Sequence, residues 1–187
     1  MNGWMGKIVK IDLTNGKQEI INIGESLRRK YLGGRGLGVK LYTQLCSPKT
    51  DPFSPENALI FLIGPVTGTI LTSGRYQVIS KSPLTKTICD SSSGGNFGAV
   101  LKATGFDGII IQGKATKPIY LYITDEGIEI KSAERLWGKN THETKNAVLN
   151  KASSKASVAC IGPAGENRVL FASIMNDNDR ASGRGGL

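Results

Sequence analysis

Four short segments rich in small residues, three of them with an arginine, form patterns suited to holding an anion or a flat ring. They are Gly33-Gly34-Arg35-Gly36-Leu37-Gly38, Ser73-Gly74-Arg75, Ser91-Ser92-Ser93-Gly94-Gly95-Asn96, and the run from Arg180 to Gly186. Glycine lets backbone N–H groups come close to a phosphate or ring, and arginine adds charge with a planar fork of donors. The third segment also precedes a helix predicted from Phe97, and the positive end of a helix favours an anion. Glycines serving turns would explain any one segment, but explain four less well. The standard nucleotide signatures are missing: no window reads G-x-x-x-x-G-K-[ST], and no predicted strand is followed by G-x-G-x-x-G.

Side chains able to run a reaction are scarce. His142, the only histidine, falls in the first turn of a predicted helix and reads as structural or solvated. Cys89 is the best-placed thiol, yet no histidine stands near it in sequence to activate it. Cys46 and Cys160 read as core positions. Glu166, in Ile161-Gly-Pro-Ala-Gly-Glu-Asn167, reads as a turn residue. Ser91, Ser92 and Ser93 have no evident base. The residues alone describe an anion-binding domain, and no catalytic residue is assigned.

The elements that must position these loops follow from periodicity. Lys7 to Leu13 and Gln18 to Asn22 alternate around Asn15-Gly16, a hairpin signal. Helices are expected from about Ser26 to Leu32 and from Val39 to Cys46, with 33–38 as the turn between them. Strands are expected at Ala58–Ile63, Arg75–Ser80, Gly108–Gln112, Ile119–Thr124, Ile128–Lys131, Ser157–Ile161 and Val169–Met175. Lys81 to Gly95 shows no periodicity and reads as a long functional loop. Phe97–Ala103 reads as a short helix, and Asn140 to Glu143 has capping-box spacing ahead of another. The fold class is α+β: one strand-rich domain with two β-sheets and a few short helices.

Composition narrows the partners. The 187 residues include 24 glycines, nearly twice the usual share, and 24 basic against 15 acidic residues give a net charge of +9. A hydrophobic fraction of 39% with 21% charged residues excludes a disordered chain. No apolar run approaches a membrane span, and the first residues lack a signal-peptide core. Three widely spaced cysteines without a Cys-x-x-Cys pair fit a reducing, cytoplasmic setting. Nucleic acid would call for aromatics interleaved with the basic residues or a recognition module, and neither is present.

Long segments carry a family resemblance: Gly3-Trp4-Met5-Gly6-Lys7 with the Asn-Gly hairpin, GGRGLG (33–38), SPENALIFLIGPVTGT (54–69), SGRYQVISKSPLT (73–85), SGGNFGAVLKATGFDGIIIQGKATKPIYLYI (93–123), IGPAGEN (161–167) and IMNDNDRASGRGG (174–186). On these the chain resembles the N-terminal domain of the tungsten-containing aldehyde ferredoxin oxidoreductases, collinear over essentially all 187 residues. The resemblance implies a base domain of two sheets cradling a tungsten bis-pyranopterin, or its molybdenum counterpart, with a magnesium ion bridging the pterin phosphates. It implies oxidation of aldehydes to carboxylic acids, with electrons passed to ferredoxin through an iron–sulfur cluster.

Carried over by position, the resemblance makes Arg75, Ser92, Ser93, Gly94, Gly95, Arg180, Ala181, Gly183 and Arg184 cofactor-binding. Backbone carbonyls of Ser92 and Ala181 would reach the magnesium ion. Ser92 replaces an asparagine of the family pattern and Ser182 an alanine. The cluster-binding and substrate-pocket domains are expected elsewhere, so residues 1–187 read as a cofactor-binding domain truncated at its C-terminal end, or a separate subunit, inactive alone. Its expected partners are the remaining domains, ferredoxin and the aldehyde, with no membrane. The alternative is a free-standing binding module for a phosphorylated ligand or nucleic acid.

Overall fold

The computed structural model describes residues 3–69, 73–153, 155–177 and 179–187. Strands β1 (Lys7–Asp12) and β2 (Lys17–Asn22) form the hairpin expected around Asn15-Gly16. Next come helices α1 (Glu25–Tyr31) and α2 (Gly34–Leu45), then strands β3 (Leu59–Leu62), β4 (Tyr76–Lys81) and β5 (Ile88–Ser93). Helix α3 (Phe97–Ala103) leads to β6 (Gly108–Gln112) and the hairpin β7 (Ile119–Ile123) and β8 (Ile128–Ser132). Helix α4 (Thr141–Leu149), β9 (Ala159–Cys160), α5 (Pro163–Glu166), β10 (Ile174–Asn176) and β11 (Arg180–Ser182) complete the described elements.

The strand-rich α+β architecture is the one expected. A six-stranded sheet in the order β2-β1-β6-β3-β4-β5 is the spine, with a three-stranded sheet β11-β10-β9 and the separate β7–β8 hairpin beside it. Only β1 and β6 run parallel; every other neighbouring pair is antiparallel.

Alternation along the central strands feeds two cores. Ile8, Ile60, Leu62, Ile79 and Ile110 point to one face and pack with Leu37, Leu41 and Tyr42 of α2. Val9, Ile11, Phe61, Val78 and Ile109 point to the other and pack with Leu101 of α3, Phe106 and Ile174 of β10. Asp107 is buried, but its carboxylate accepts the N–H groups of Met5 (3.0 Å) and Gly6 (2.7 Å), so its polar atoms are answered.

Several sequence expectations need correction. Residues 33–38 are not a turn: Gly33 caps α2 and the helix begins at Gly34. A Cβ on Gly38 would strike Ile79 and Leu62, so glycine here lets the helix lie close on the sheet, and packing overrides low helix propensity. Residues 81–95 are not one long loop, because Ile88–Ser93 is β5. Its inward positions are Ser91 and Ser93, both 2% exposed. Hydroxyls replace the apolar residues that periodicity detects. The strand expected at Val169–Met175 survives only as Ile174–Asn176, that at Ser157–Ile161 only as Ala159–Cys160, and β11 was not foreseen. Asn140 does form the capping box with Glu143.

Gly108 pairs with Leu62 in the middle of the sheet, and a Cβ there would collide with the Phe61 carbonyl oxygen and the Leu62 side chain. Gly108→Ala should therefore cost about 1–3 kcal/mol in urea unfolding. Gly24→Ala, where nothing lies within 4 Å and only the N-cap of α1 is affected, should cost less than about 1 kcal/mol. Equal midpoints for the two variants would contradict this packing.

Candidate functional site

Two of the four segments meet at one end of the sheet, and a third runs along the β5 edge from that end toward the other. The β4–β5 register sets Tyr76 opposite Ser93, which brings the preceding Gly74-Arg75 alongside Gly94-Gly95. There the backbones touch: a Cβ on Gly74 would run into the Gly95 carbonyl oxygen. The third segment comes in from the smaller sheet. Asn176 Nδ2 donates to the Gly94 carbonyl at 2.9 Å, and the Arg184 N–H donates to Ser91 Oγ at 3.2 Å. Ser82 Oγ donates to the Gly185 carbonyl at 2.5 Å.

Gly74-Arg75 and Gly94-Gly95 thus lie side by side, Arg180 and Ala181 follow on β11, and Arg184 lies farther along β5 at Ser91. The segment 33–38 serves otherwise. As the first turns of α2 it braces β5 from outside, with Arg35 Nε 2.5 Å from Asp90 Oδ2. That guanidinium is already answered by a carboxylate. Arg75, Arg180 and Arg184 are exposed, and among the described residues no carboxylate pairs with them.

The backbone adds a second sign. Gly94 and Gly183 do not have positive φ. An added Cβ at Gly94 meets nothing within 4 Å, and at Gly183 only the Ala181 Cβ at 3.7 Å. Neither conformation nor internal packing demands glycine at these positions. Gly95 differs, because it has φ +83° and a Cβ there would lie 2.7 Å from Asp177 Oδ2.

One electrostatic expectation is overturned. The N-terminus of α3 does not await an external anion. The Asp177 carboxylate occupies it, with Oδ2 accepting the N–H groups of Asn96 (2.6 Å) and Phe97 (3.0 Å). Sequence reading missed Asp177 and Asn176 because the contacts join residues some eighty positions apart, and Asn-Asp-Asn-Asp (176–179) reads as turn composition. Asn178 lies outside the described residues.

The other candidates behave structurally. His142 is in the first turn of α4, mostly exposed, 3.4 Å from Asp179. Glu166 ends the short helix α5, and both its oxygens lie within hydrogen-bonding distance of the Gly138 N–H. Burial, and then the neighbouring Asp90 charge, push the Cys89 thiol up, the wrong direction for a nucleophile. Among the described residues, no three His, Cys, Asp or Glu side chains gather closely enough to hold a metal ion.

Beneath the site, Tyr76, Phe61 and Phe97 pack with centroids 4.9–6.1 Å apart. The Tyr76 hydroxyl is buried without a hydrogen-bond partner, as is Ser182 Oγ. Burial raises the Tyr76 pKa, and the nearby Ser182 and Ser93 hydroxyls, outside bonding geometry, offset this only in part. The phenol therefore stays neutral through the physiological range.

Two expectations follow. Tyr76→Phe should leave the unfolding midpoint unchanged or raise it, since an unpaired buried hydroxyl carries a desolvation cost of about 1–3 kcal/mol; a clear loss of stability would show that the hydroxyl is bonded. Cys89, with its raised pKa, should react with iodoacetamide at pH 8 more slowly than a free cysteine and gain rate as pH rises further. Mass-spectrometric labelling rates check this, and labelling as fast as free cysteine would contradict it.

Comparison with known proteins now bears on this geometry. The model of the family described as aldehyde ferredoxin oxidoreductase, N-terminal domain, matches residues 8–187. The tungsten-containing aldehyde ferredoxin oxidoreductase of Pyrococcus abyssi is 52% identical over 191 residues, covering 100% of this chain and 31% of its own length. The protein of the same description from Pyrococcus furiosus is 49% identical over 189 residues, with the same coverage. Among solved structures, the active site complex BamBC of benzoyl coenzyme A reductase in complex with 1,5 dienoyl-CoA superposes with a TM-score of 0.95 at 37% identity. That alignment covers 99% of this chain and 28% of the other. The chain thus spans about a third of the length of the curated relatives it matches. Matched by the family model from Ile8 to Leu187, and about half identical to these relatives along its whole length, the chain belongs to the aldehyde ferredoxin oxidoreductase N-terminal domain family.

Proposed function

We propose that residues 1–187 are the pterin-cofactor-binding domain of an oxidoreductase that oxidises aldehydes to carboxylic acids with ferredoxin as electron acceptor, inactive without the rest of the enzyme. The observation that carries this reading is that Arg75, Arg180 and Arg184, exposed and without a carboxylate partner among the described residues, lie along the β5 edge that also carries Gly94 and Gly183, where packing does not demand glycine. Such a surface fits a flat, phosphate-bearing group. The relatives' names state tungsten and aldehyde ferredoxin oxidoreductase, which agrees with a tungsten bis-pyranopterin or its molybdenum counterpart.

In this reading the three guanidiniums bind the phosphates, and the backbone at Gly94 and Gly183 lies against the pterins. Ser93 and Gly95 hold the loop in shape. Ser92 and Ala181 lie on the neighbouring strands β5 and β11, and in this reading their backbone carbonyls would hold a magnesium ion. When bound, the tungsten supplies the redox and oxygen-transfer chemistry. The iron–sulfur cluster, the ferredoxin contact and the aldehyde pocket are assigned to the remaining part of the enzyme. A cytoplasmic setting accords with three free cysteines. No described helix is long and apolar enough to cross a membrane. The reading as a free-standing module for a phosphorylated ligand or nucleic acid finds no support in the relatives.

The purified full-length enzyme should contain tungsten or molybdenum by elemental analysis. Arg75→Ala and Arg184→Ala should each loosen cofactor retention roughly 10- to 150-fold, the equivalent of one charge-assisted hydrogen bond at about 1.5–3 kcal/mol. Gly94→Ala and Gly183→Ala should keep or slightly raise stability, by up to about 1 kcal/mol, while cofactor content falls. A folded enzyme with neither metal would sink the reading. Salt-sensitive oligonucleotide binding abolished in Arg28→Ala/Arg29→Ala would favour the alternative.

A further inference from the structure

Asp177 makes more of its carboxylate than any other acidic side chain of the region. Oδ2 accepts two successive backbone N–H groups at the start of α3, those of Asn96 and Phe97, and Oδ1 accepts the Ser157 hydroxyl. Its backbone is fastened as well. The Asp177 N–H donates to the Val158 carbonyl at 3.2 Å, and Lys145 Nζ donates to the Asp177 carbonyl at 3.1 Å.

The residue adopts φ +39°, a left-handed conformation that is unfavourable for an aspartate and that glycine takes freely. Strain of this kind persists only where the surroundings over-determine it, and here five partners on three segments do so. Gly95 is adapted to the same contact, because any side chain there would meet Asp177 Oδ2. Alongside, Asn176 Nδ2 grips the Gly94 carbonyl. Residues 94–97 carry one set of proposed cofactor contacts, and Asp177 stands three residues before the other set, Arg180 to Arg184.

We propose that Asp177 is a positioning residue that locks the 94–97 loop to the Arg180–Arg184 segment, so that the two halves of the cofactor cradle hold one spacing. A consequence is that the helix end is neutralised internally and the cofactor's phosphates are answered by Arg75, Arg180 and Arg184. The inference rests on the cofactor-binding reading above for its functional half; the clamp itself rests on geometry.

The test uses the full-length enzyme with Asp177→Ala and Asp177→Asn. Asparagine keeps an acceptor for the two N–H groups, so it should rescue what alanine loses. Two quantities are followed: hydrogen–deuterium exchange of the peptide covering residues 94–101, and the rate at which tungsten or molybdenum is lost on prolonged dialysis. Expected for Asp177→Ala is at least a tenfold faster exchange at the first α3 amides and at least a tenfold faster metal loss. Exchange in β6 should be unchanged, and Asp177→Asn should stay within about threefold of wild type in both.

Unchanged metal retention in Asp177→Ala, with exchange accelerated, would overturn the positioning role. Unchanged exchange would overturn the clamp. Equal losses in the asparagine and alanine variants would also overturn it, since geometry without charge would then not suffice. A wild-type enzyme lacking both metals refutes the cofactor reading and the functional half with it, while the exchange data still decide the clamp.

Discussion

Burial of the central sheet on both faces is the constraint on which the rest of the structure depends. Residues of β1, β3, β4 and β6 alternate between two cores, so helices must cover one side and the α3, hairpin and β10 elements the other. Helix α2 meets this demand by giving up side chains. Gly38 brings it within reach of Ile79 and Leu62, and the low helix propensity of glycine is offset by the apolar area this buries. The basic loops are then carried at the ends of rigid strands, where their spacing is set by register rather than by loop flexibility.

At the β5 edge the construction changes. Inward positions become Ser91 and Ser93, and the neighbouring strand β11 contributes Ser182, so this corner is buried but polar. Some of its hydroxyls are answered by the backbone of the 184–185 segment and by Asn176, while Tyr76 and Ser182 are not. Hydrogen bonds have stricter geometry than apolar contacts, so a polar corner fixes the approach of one sheet to the other more narrowly than a greasy one would. A site that must hold a rigid group between two sheets benefits from that narrowness.

The charge surplus sorts itself along the same lines. Arg29 pairs with Glu25 and Arg35 with Asp90, both structural uses of charge at the surface. Among the described residues Arg75, Arg180 and Arg184 have no carboxylate partner, and all three lie along the β5 edge. Net charge alone did not distinguish these cases. Within the basic N-terminal cluster, Arg28 Nε is buried without a partner, and nothing in the proposed function uses it.

Sequence by itself determined the strand-rich α+β class, the β1–β2 hairpin around Asn15-Gly16 and the capping box at Asn140. These are local signals: a turn type, a cap, an alternation. It misread 33–38 as a turn and 81–95 as a loop, because helix and strand there are imposed by what they pack against. Only the tertiary structure decided that the 73–75, 91–96 and 180–186 segments share the β5 edge while 33–38 does not, that packing does not demand glycine at Gly94 and Gly183, and that the start of α3 is closed by Asp177. Each of these depends on contacts between residues far apart in sequence, which no local spacing encodes.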